Sequence, residues 1–290
     1  MANILNGKEL AKKMRKEIKA EVERLKSEYN ITPFLGVILV EGNPASEVYV
    51  RNKGKACKKV GIESYTQRYP PDVPEQVVLD KIKEWNEDPK VNGILVQLPL
   101  PSHIDEEKII EYISPAKDVD GFHPINLGKI LRGREDALVP CTPQGVIELL
   151  LHYGIDPAGK DVVVIGRSLI VGRPLANLLS LKRRGGNATV TLCHTKTKDL
   201  KKYTLNADIL IVAVGRPKVV TADMVKEGAV VVDVGVNRLP DGSLCGDVDF
   251  EEVSKKVSWI SPVPGGVGPM TVTMLLWNTL KATKMQHNIK

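Results

Sequence analysis

The chain has 290 residues, of which 42% are hydrophobic and 4% aromatic, so it is long enough for one large domain or two medium ones with an aliphatic core. Its net charge is +6, but basic residues are not interleaved with aromatic ones, which argues against a nucleic-acid groove. The excess positive charge reflects either solvated helix faces or an anionic small substrate or cofactor.

The cysteines are widely spaced and form no C-x-x-C pair: Cys57, Cys141, Cys193 and Cys245. This spacing predicts neither a metal site nor a disulfide framework and is typical of a reducing compartment. The first residues lack the apolar stretch of a signal peptide, and no run approaches the roughly 18 apolar residues of a membrane helix. We therefore expect a cytoplasmic protein that binds neither membranes nor nucleic acid.

The first part of the chain alternates between helical and extended patterns. Helices are predicted at 7–29, 44–60, 74–88 and 105–113, and strands at 34–42, 63–69 and 91–101. This alternation favours a mostly parallel sheet. The next stretch, 114–143, has weak periodicity and many turn residues, so we interpret it as connecting structure at a domain boundary.

The rest of the chain alternates again. A helix at 143–155 leads into strands at 161–166, 188–194, 208–215 and 229–235, which are separated by helices at 172–184, 199–207 and 221–228. A short strand and a glycine-rich loop at 259–269 precede a last helix that begins near Pro269. That helix is apolar on nearly every side, so we expect it to be buried.

The predicted fold class is α/β, with two α/β domains and a cleft between them. The first domain comprises residues 1–143 and 269–290, and the second comprises residues 144–268. The second is expected to be a Rossmann-like doubly wound parallel sheet. In such sheets ligands bind at the carboxyl ends of the strands, so a site is expected there.

One predicted helix, 44–60, carries a lysine on its apolar side. At about 100° per residue, Lys53 lies roughly 40° from Tyr49, in the sector of Ala56 and Val60, whereas the other cations of the helix lie on the opposite face. Lys53 either keeps its ammonium in water above a packed stem or lies in a partly desolvated pocket. In the second case a neutral amine becomes available for acid/base chemistry. Tyr49, one turn earlier, would shape the same pocket.

A glycine turn joins a strand to a helix in DVVVIGRSLIVGRPLANLL, residues 161–179. The pattern is not G-x-G-x-x-G, because Arg167 and Ser168 follow Gly166 directly. Gly166 still permits a tight turn and Gly172 close packing, so the amide groups and positive dipole end of the next helix can face a pyrophosphate. The alternative is a tight turn without a ligand. The βαβαβ context favours a nucleotide site.

The end of the second strand of this unit indicates which nucleotide binds. An NAD site places a carboxylate there to bind the ribose 2′-hydroxyl, but this strand ends with His194, Thr195 and Lys196. Together with Arg167 in the first turn, these cations and hydroxyls suit a 2′-phosphate. We therefore predict NADP rather than NAD.

Further candidates lie at strand ends and in turn-rich loops. Gln97, near the end of a strand, either donates to a substrate, orients Lys53 or simply caps the strand end. Asp118 and Asp120 are either Asx-turn residues or include a carboxylate that pairs with N–H donors of a heterocycle. The loop PVPGGVGP, residues 262–269, would let the backbone approach a ligand closely.

Six motifs together resemble the bifunctional 5,10-methylenetetrahydrofolate dehydrogenase/methenyltetrahydrofolate cyclohydrolase family. They are YVRNK at 49–53, VQLPLP at 96–101, KDVDGFHP at 117–124, VIGRSLIVGRP at 164–174, DVGVNR at 233–238 and SPVPGGVGPMT at 261–271. The resemblance spans nearly the whole chain. It implies hydride transfer from the folate methylene carbon to NADP, hydrolysis of the methenyl product to the 10-formyl form, and a homodimer.

The resemblance also implies roles for single residues. Tyr49 stacks on the folate, Lys53 is the catalytic lysine, Gln97 supports it and Asp120 holds the pterin; these four form the catalytic set. Further substrate contacts are implied for Val96, Leu98, Pro264 and Gly265. Cofactor contacts are implied for Gly166, Arg167, Ser168, Thr195 and Val236.

Three other functions compete with this interpretation. One is a dehydrogenase without the cyclohydrolase step, and another is a two-domain amino-acid dehydrogenase. The third is a catalytically silent regulator that binds NADP or folate. The intact catalytic set argues against a silent protein.

Overall fold

The computed structural model describes residues 1–289 and divides them into two compact units. The three-stranded unit comprises Lys13–Lys129, Glu135–Cys141 and the described chain from Val272 onward. The six-stranded unit comprises Met1–Lys12, Ile130–Arg134 and Thr142–Thr271. Each unit contains a parallel sheet with helices, so the predicted α/β class is confirmed.

The elements are numbered along the chain. The strands are β1 (Asn3–Ile4), β2 (Phe34–Val40), β3 (Glu63–Tyr69), β4 (Gly93–Val96), β5 (Asp161–Ile165), β6 (Thr189–Cys193), β7 (Ile209–Val212), β8 (Val230–Asp233), β9 (Asn237–Arg238), β10 (Leu244–Cys245) and β11 (Trp259–Ile260). The helices are α1 (Gly7–Tyr29), α2 (Pro44–Val60), α3 (Glu75–Glu87), α4 (Glu106–Tyr112), α5 (Pro124–Leu131), α6 (Cys141–His152), α7 (Gly172–Ser180), α8 (Leu200–Thr204), α9 (Phe250–Val253) and α10 (Val267–Gln286). Within residues 1–289, none of the helices combines the length and apolarity needed to cross a membrane.

The three-stranded unit is built on β2, the central strand of a parallel sheet with the order β3-β2-β4. Every residue of β2 after Phe34 is buried, as its continuous apolar sequence predicts. Ile38 and Ile94 of the sheet pack with Ile82 and Trp85 of α3 in one core. This core fixes the carboxyl ends of β2 and β4, where the candidate site begins.

Helix α2 begins and ends where its sequence predicts. The side chain of Asn43 accepts hydrogen bonds from the N–H groups of Ala45 and Ser46 at the start of the helix, as an N-cap residue does. Gly61 follows the last turn with a φ of 83°, and its N–H bonds to the carbonyls of Cys57 and Lys58. Such a left-handed cap favours glycine.

The six-stranded unit contains a fully parallel sheet with the order β1-β11-β8-β7-β5-β6. Its core includes Val163, Leu210 and Val231 from three neighbouring strands. The carboxyl ends of β5, β7 and β8 therefore lie side by side, which is where a doubly wound sheet binds its ligand.

The structure corrects several predicted elements. Residues 114–143, expected to be connecting structure, contain α5 and the start of α6. The strand expected at 91–101 ends at Val96, because the following segment contains prolines, which cannot donate to a ladder. The helix expected at 221–228 is only the 3₁₀ turn Ala222–Met224, and the two-stranded β9-β10 ribbon was not predicted.

The first residues also group differently from the expected 1–143 domain. Met1–Lys12 lie in the six-stranded unit, because β1 pairs in parallel with β11 and aligns Asn3 with Trp259. A strand of two residues has no recognisable sequence period, so its pairing depends on tertiary structure. The last helix begins at Val267, two residues before Pro269, and most of it is buried, as predicted.

Candidate functional site

The three-stranded unit brings Lys53 and Gln97 together. The Lys53 Nζ atom donates a hydrogen bond to Gln97 Oε1 at 3.0 Å. The Gln97 Nε2 atom donates in turn to the Leu98 carbonyl oxygen at 2.6 Å. Because the second bond requires a donor, it selects the amide orientation that turns Oε1 toward the lysine. Gln97 therefore acts as the acceptor that holds the Lys53 amine.

The sheet itself positions Gln97. Its backbone N–H donates to the Ile38 carbonyl oxygen at 2.9 Å, which extends the β2–β4 pairing by one bond beyond Val96. Val96 is buried and Leu98 is half-buried. The amide side chain thus stands at the carboxyl end of a strand that is anchored in the core.

Lys53 lies in the middle of the buried side of α2. Relative to Tyr49, the buried residues of the helix span roughly −20° to +100° of the wheel, and Lys53 lies at roughly +40°; they are Ser46, Val50, Ala56, Cys57 and Val60. Burial raises the pKa of the Cys57 thiol to about 11, so the environment beside Lys53 is apolar. Lys53 is half-buried, whereas Tyr49 is 47% exposed, which leaves its ring free to stack on a ligand.

Asp120 is the carboxylate whose charge interacts with Lys53. Burial raises the pKa of Asp120, the positive charge of Lys53 opposes this shift, and the negative charge of Asp118 adds to it. The Cys141 thiol lies 4.0 Å from Asp120 Oδ1, and no closer hydrogen-bond donor contacts this carboxylate within residues 1–289. Asp120 therefore retains its capacity to accept N–H groups from a ligand.

Asp118 is used differently, although it lies two residues away. Its side chain is buried and accepts hydrogen bonds of 2.9 to 3.2 Å; the donors are the N–H groups of Gly121, Phe122 and His123 and the amide of Asn126. Burial raises its pKa, and these donors oppose the shift. Asp118 therefore holds the loop that carries Asp120 and has no acceptor left for a ligand.

Two residues near Asp120 were missed by sequence reasoning. The Asn278 side-chain amide donates to the carbonyls of Val119 and Val139 at 2.8 and 2.7 Å. The Cys141 thiol donates to the Val119 carbonyl at 3.4 Å. Both contacts hold the segment immediately before Asp120. A lone asparagine in the apolar sequence of α10 was the available signal, because a buried amide needs partners; Cys141 offered none.

In the six-stranded unit, Gly166 ends β5 in a turn that excludes any side chain. Its φ is 116°, and a Cβ atom there would overlap the Ala213 carbonyl oxygen. A Cβ atom on Gly172 would overlap the Gly166 carbonyl oxygen. The turn therefore packs directly against both the start of α7 and the loop after β7, as a backbone cradle requires.

Ser168 organises the start of α7. Its Oγ atom accepts from the N–H groups of Val171 and Gly172 at 3.2 and 3.5 Å, and its carbonyl accepts from Arg173 N–H at 3.1 Å. Arg167 and Ser168 are both exposed. The guanidinium of Arg167 is thus available to an anion beside a helix amino terminus.

Thr195 lies on the turn after β6, next to the Gly166 turn. The Gly166 N–H donates to the Cys193 carbonyl at 2.9 Å, and the turn at 194–197 is closed by a bond of 2.9 Å from His194 N–H to Thr197 Oγ1. Thr195 and Lys196 are exposed, and the stretch 194–198 contains no carboxylate. The turn therefore presents hydroxyl and ammonium groups to a ligand.

The remaining predicted residues also belong to the six-stranded unit. Val236 follows β8 and is 45% exposed. Pro264 is exposed, whereas Gly265 is buried with a φ of 115°, and its carbonyl accepts from Lys8 N–H at 3.1 Å. The candidate residues thus divide between the units: the catalytic set with Val96 and Leu98 lies in the three-stranded unit, and all the others lie in the six-stranded unit.

Both parts of the chain match models of one family. Residues 5–120 match the tetrahydrofolate dehydrogenase/cyclohydrolase catalytic domain, and residues 140–287 match the NAD(P)-binding domain of the same family. The chain belongs to the tetrahydrofolate dehydrogenase/cyclohydrolase family. The resemblance inferred from the six motifs is thereby confirmed.

Members of the tetrahydrofolate dehydrogenase/cyclohydrolase family resemble this chain over nearly its full length. The bifunctional protein FolD of Aquifex aeolicus (strain VF5) is 59% identical over 284 residues, which cover 98% of this chain and 96% of the relative. The structure of bifunctional FolD from Campylobacter jejuni has 53% identity and a TM-score of 0.94, with 98% and 99% coverage. The Trypanosoma brucei FolD structure, complexed with NADP and an inhibitor, has 38% identity and a TM-score of 0.92, with 98% coverage of each chain.

Proposed function

We propose that this protein oxidises 5,10-methylenetetrahydrofolate to 5,10-methenyltetrahydrofolate with NADP and then hydrolyses the product to 10-formyltetrahydrofolate. The observation that carries the proposal is the bond of 3.0 Å between Lys53 and Gln97, in a chain that matches both domains of this family. An amine that is held by an amide on the buried side of a helix can exchange a proton with a bound substrate.

We assign the folate to the three-stranded unit. Asp120 accepts N–H groups of the pterin, since its carboxylate is open, and the exposed ring of Tyr49 stacks on the ligand. Further contacts come from Val96 and Leu98, beside Gln97. The three-stranded unit then supplies the charged and aromatic contacts.

We assign NADP to the six-stranded unit. The glycines of the β5–α7 turn leave no room for a Cβ atom, so Gly166 brings backbone close to a pyrophosphate, with Arg167 and Ser168 beside it. Thr195 lies by the 2′-phosphate, because the turn after β6 lacks the carboxylate that would bind a 2′-hydroxyl. Val236 contacts the cofactor from the end of β8. When bound, NADP accepts the hydride from the substrate.

The hydrolytic step uses the catalytic set of the three-stranded unit. Water adds to the methenyl carbon, and the Lys53 side chain mediates removal of a proton from that water. That proton is then delivered to the substrate nitrogen as its bond to the carbon breaks, while the added hydroxyl loses its own proton to solvent and becomes the carbonyl of the 10-formyl product. Gln97 holds the Lys53 amine in position during both proton transfers, because the Gln97 amide is itself fixed by the Leu98 carbonyl.

A direct assay tests both activities. The protein is mixed with methylenetetrahydrofolate and NADP, and absorbance is followed for reduced cofactor and for the methenyl product. We expect reduced cofactor to form without persistent methenyl product. Accumulation of methenyl product in the amount of reduced cofactor would indicate a dehydrogenase without the second step. Activity with an amino acid, and none with folate, would contradict the proposal.

We also propose that the protein acts in the cytoplasm as a homodimer. The cysteines of the described chain are unpaired, which fits a reducing compartment, and the homodimer rests on analogy with the family. Light scattering coupled to size-exclusion chromatography tests the second point, since a monomer and a dimer of this 31.8 kDa chain differ twofold in mass.

A further inference from the structure

Two buried aspartates of the six-stranded unit have no role in the proposed chemistry. Asp233, the last residue of β8, is 3% exposed, and Asp247 is 0% exposed. All the hydrogen bonds that their side chains accept come from amide groups, mostly of the backbone. Burying a carboxylate is unfavourable unless such donors satisfy it. We call Asp233 and Asp247 the carboxylate pair, and its amide donors show which segments it holds.

Asp247 holds the loop after β7 and the loop after β8 at the same time. Its Oδ2 atom accepts from the N–H groups of Val214 and Gly215 at 2.7 and 2.9 Å. Its Oδ1 atom accepts from Arg216 N–H at 2.9 Å and from the Asn237 side-chain amide at 2.8 Å. Four donors therefore converge on one carboxylate, which joins two loops at the carboxyl edge of the sheet.

Asp233 holds the backbone at Asp247 in place. Its carboxylate accepts from the N–H groups of Asp247 and Val248 at 3.0 and 2.9 Å. It also accepts from Gly235 N–H at 3.0 Å, in the same loop that carries Asn237. The backbone of Asp247 is thus fixed by the strand end of β8, so the carboxylate that gathers the loops is itself held in place.

Two glycines let the backbone close over the carboxylate pair. A Cβ atom on Gly235 would overlap the Asp247 carboxylate, and one on Gly246 would overlap the Asp233 carboxylate. Neither glycine has a positive φ, so it is space rather than backbone conformation that excludes a side chain here. The pair and its two glycines are therefore one packed arrangement.

The two loops adjoin the residues assigned to the cofactor. Ala213, one residue before the loop amides, packs its carbonyl against Gly166 of the β5 turn. Asn237 directly follows Val236. We propose that Asp247, supported by Asp233, is a positioning residue for the nicotinamide cofactor. Asp247 holds the loops 213–216 and 234–237 in the arrangement that binds this cofactor. This inference rests on the proposed function.

The chemistry requires a carboxylate rather than its amide. Both oxygens of Asp247 face two N–H donors each. In Asp247→Asn, either orientation of the amide would set its NH₂ group against two other donors. The loops would then relax, although the size of the side chain is unchanged.

Two variants and one control test the proposal. Asp247→Asn removes the charge, and Gly235→Ala displaces the carboxylate without removing it. The control is Gly128→Ala in α5, where no atom lies within 4 Å of the new Cβ. For each protein we would measure the NADP dissociation constant, the Michaelis constant and turnover of the dehydrogenase, and hydrolysis of methenyltetrahydrofolate without NADP.

We expect both variants to raise the NADP dissociation constant and its Michaelis constant at least tenfold. Turnover at saturating NADP and hydrolysis without NADP should stay within about twofold of the unmodified protein, and the control should change none of them. Unchanged NADP affinity in both variants would overturn the positioning role. An equal loss of hydrolysis and NADP affinity would also overturn it, because the pair would then support the fold in general. If the unmodified protein binds no NADP, that result contradicts the proposed function itself, and the positioning role of Asp247 is then excluded as well.

Discussion

The candidate site of the three-stranded unit consists of side chains, whereas that of the six-stranded unit consists mainly of backbone. In the three-stranded unit the chemistry lies in side chains: Lys53 donates to Gln97, and Asp120 keeps an open carboxylate. In the six-stranded unit it lies in backbone turns, which need Gly166 to exclude side chains and Asp247 to gather amide groups. A substitution in the catalytic set of the three-stranded unit should therefore change chemistry or one contact, whereas a substitution in the backbone turns of the six-stranded unit should change a loop and hence cofactor affinity.

The sharpest test of this contrast is Lys53→Met, which keeps an unbranched side chain only one atom shorter but removes its amine. We expect hydrolysis of methenyltetrahydrofolate to fall at least 100-fold, since a positioned proton acceptor typically contributes about 10²–10⁴ in rate. Binding of folate and NADP should be largely retained. Lys55→Met, on the exposed face of the same helix, is the matched control. Full hydrolytic activity in Lys53→Met would remove Lys53 from the mechanism.

Gly166→Ala tests the backbone side of the comparison. The new Cβ would overlap the Ala213 carbonyl oxygen at a φ of 116°, and such a backbone conformation is strained by about 1–3 kcal/mol for other residues. We expect NADP affinity to fall about 10- to 100-fold in equilibrium titration, whereas hydrolysis without NADP persists. Equal NADP affinity in Gly166→Ala and Gly128→Ala would show that the turn does not form the cofactor site.

Asp120→Ala and Asp118→Ala separate a ligand contact from a structural one. Loss of a hydrogen bond to a charged group is worth about 1.5–3 kcal/mol, so Asp120→Ala should weaken folate binding roughly 10-fold or more with little change in stability. Asp118→Ala should chiefly lower the free energy of unfolding, because it leaves buried donors unpaired. Calorimetric titration and urea unfolding distinguish the two results. An unchanged folate dissociation constant in Asp120→Ala would place the pterin contact elsewhere.

The smallest expected effect is a pH dependence that arises from Asp233. Burial raises its pKa to about 6, with the charge of Asp247 adding to the shift and backbone donors opposing it. The folded protein thus holds this proton more tightly than the unfolded chain, so the contribution of Asp233 to stability is present at low pH and is lost as pH rises through about 6.

Comparison with Asp233→Asn isolates this contribution. Between pH 5 and pH 7 the stability of the unmodified protein should fall by about 1 kcal/mol relative to the variant. Asp223, whose pKa is lowered to about 2 by its bond to Lys201, titrates below this range. Asp223 and the other carboxylates are present in both proteins, so the difference between the two proteins reports on Asp233. Urea unfolding at both pH values measures the difference. A constant difference in stability would contradict the raised pKa.

The sequence predicted the repeating elements well where one physical signal dominated. Helix α2 begins at Pro44 and ends before Gly61 as expected, and the apolar run of β2 correctly predicted a buried strand. The position of Lys53 among buried residues followed from the helical period alone. Short elements were missed, because α5 depends on Asp118 and its donors and β1 depends on pairing with a strand more than 250 residues away.

Local period and local sterics were enough to predict the order of the elements, the position of Lys53 on the apolar side of α2 and the glycine turn before α7. Tertiary contacts were needed to show that Asp120 is open while Asp118 is saturated, and that Asp233 and Asp247 join two loops. Neither outcome could be predicted from the sequence. Neighbouring aspartates have the same chemistry until the fold brings backbone amides within hydrogen-bonding distance of one and not of the other.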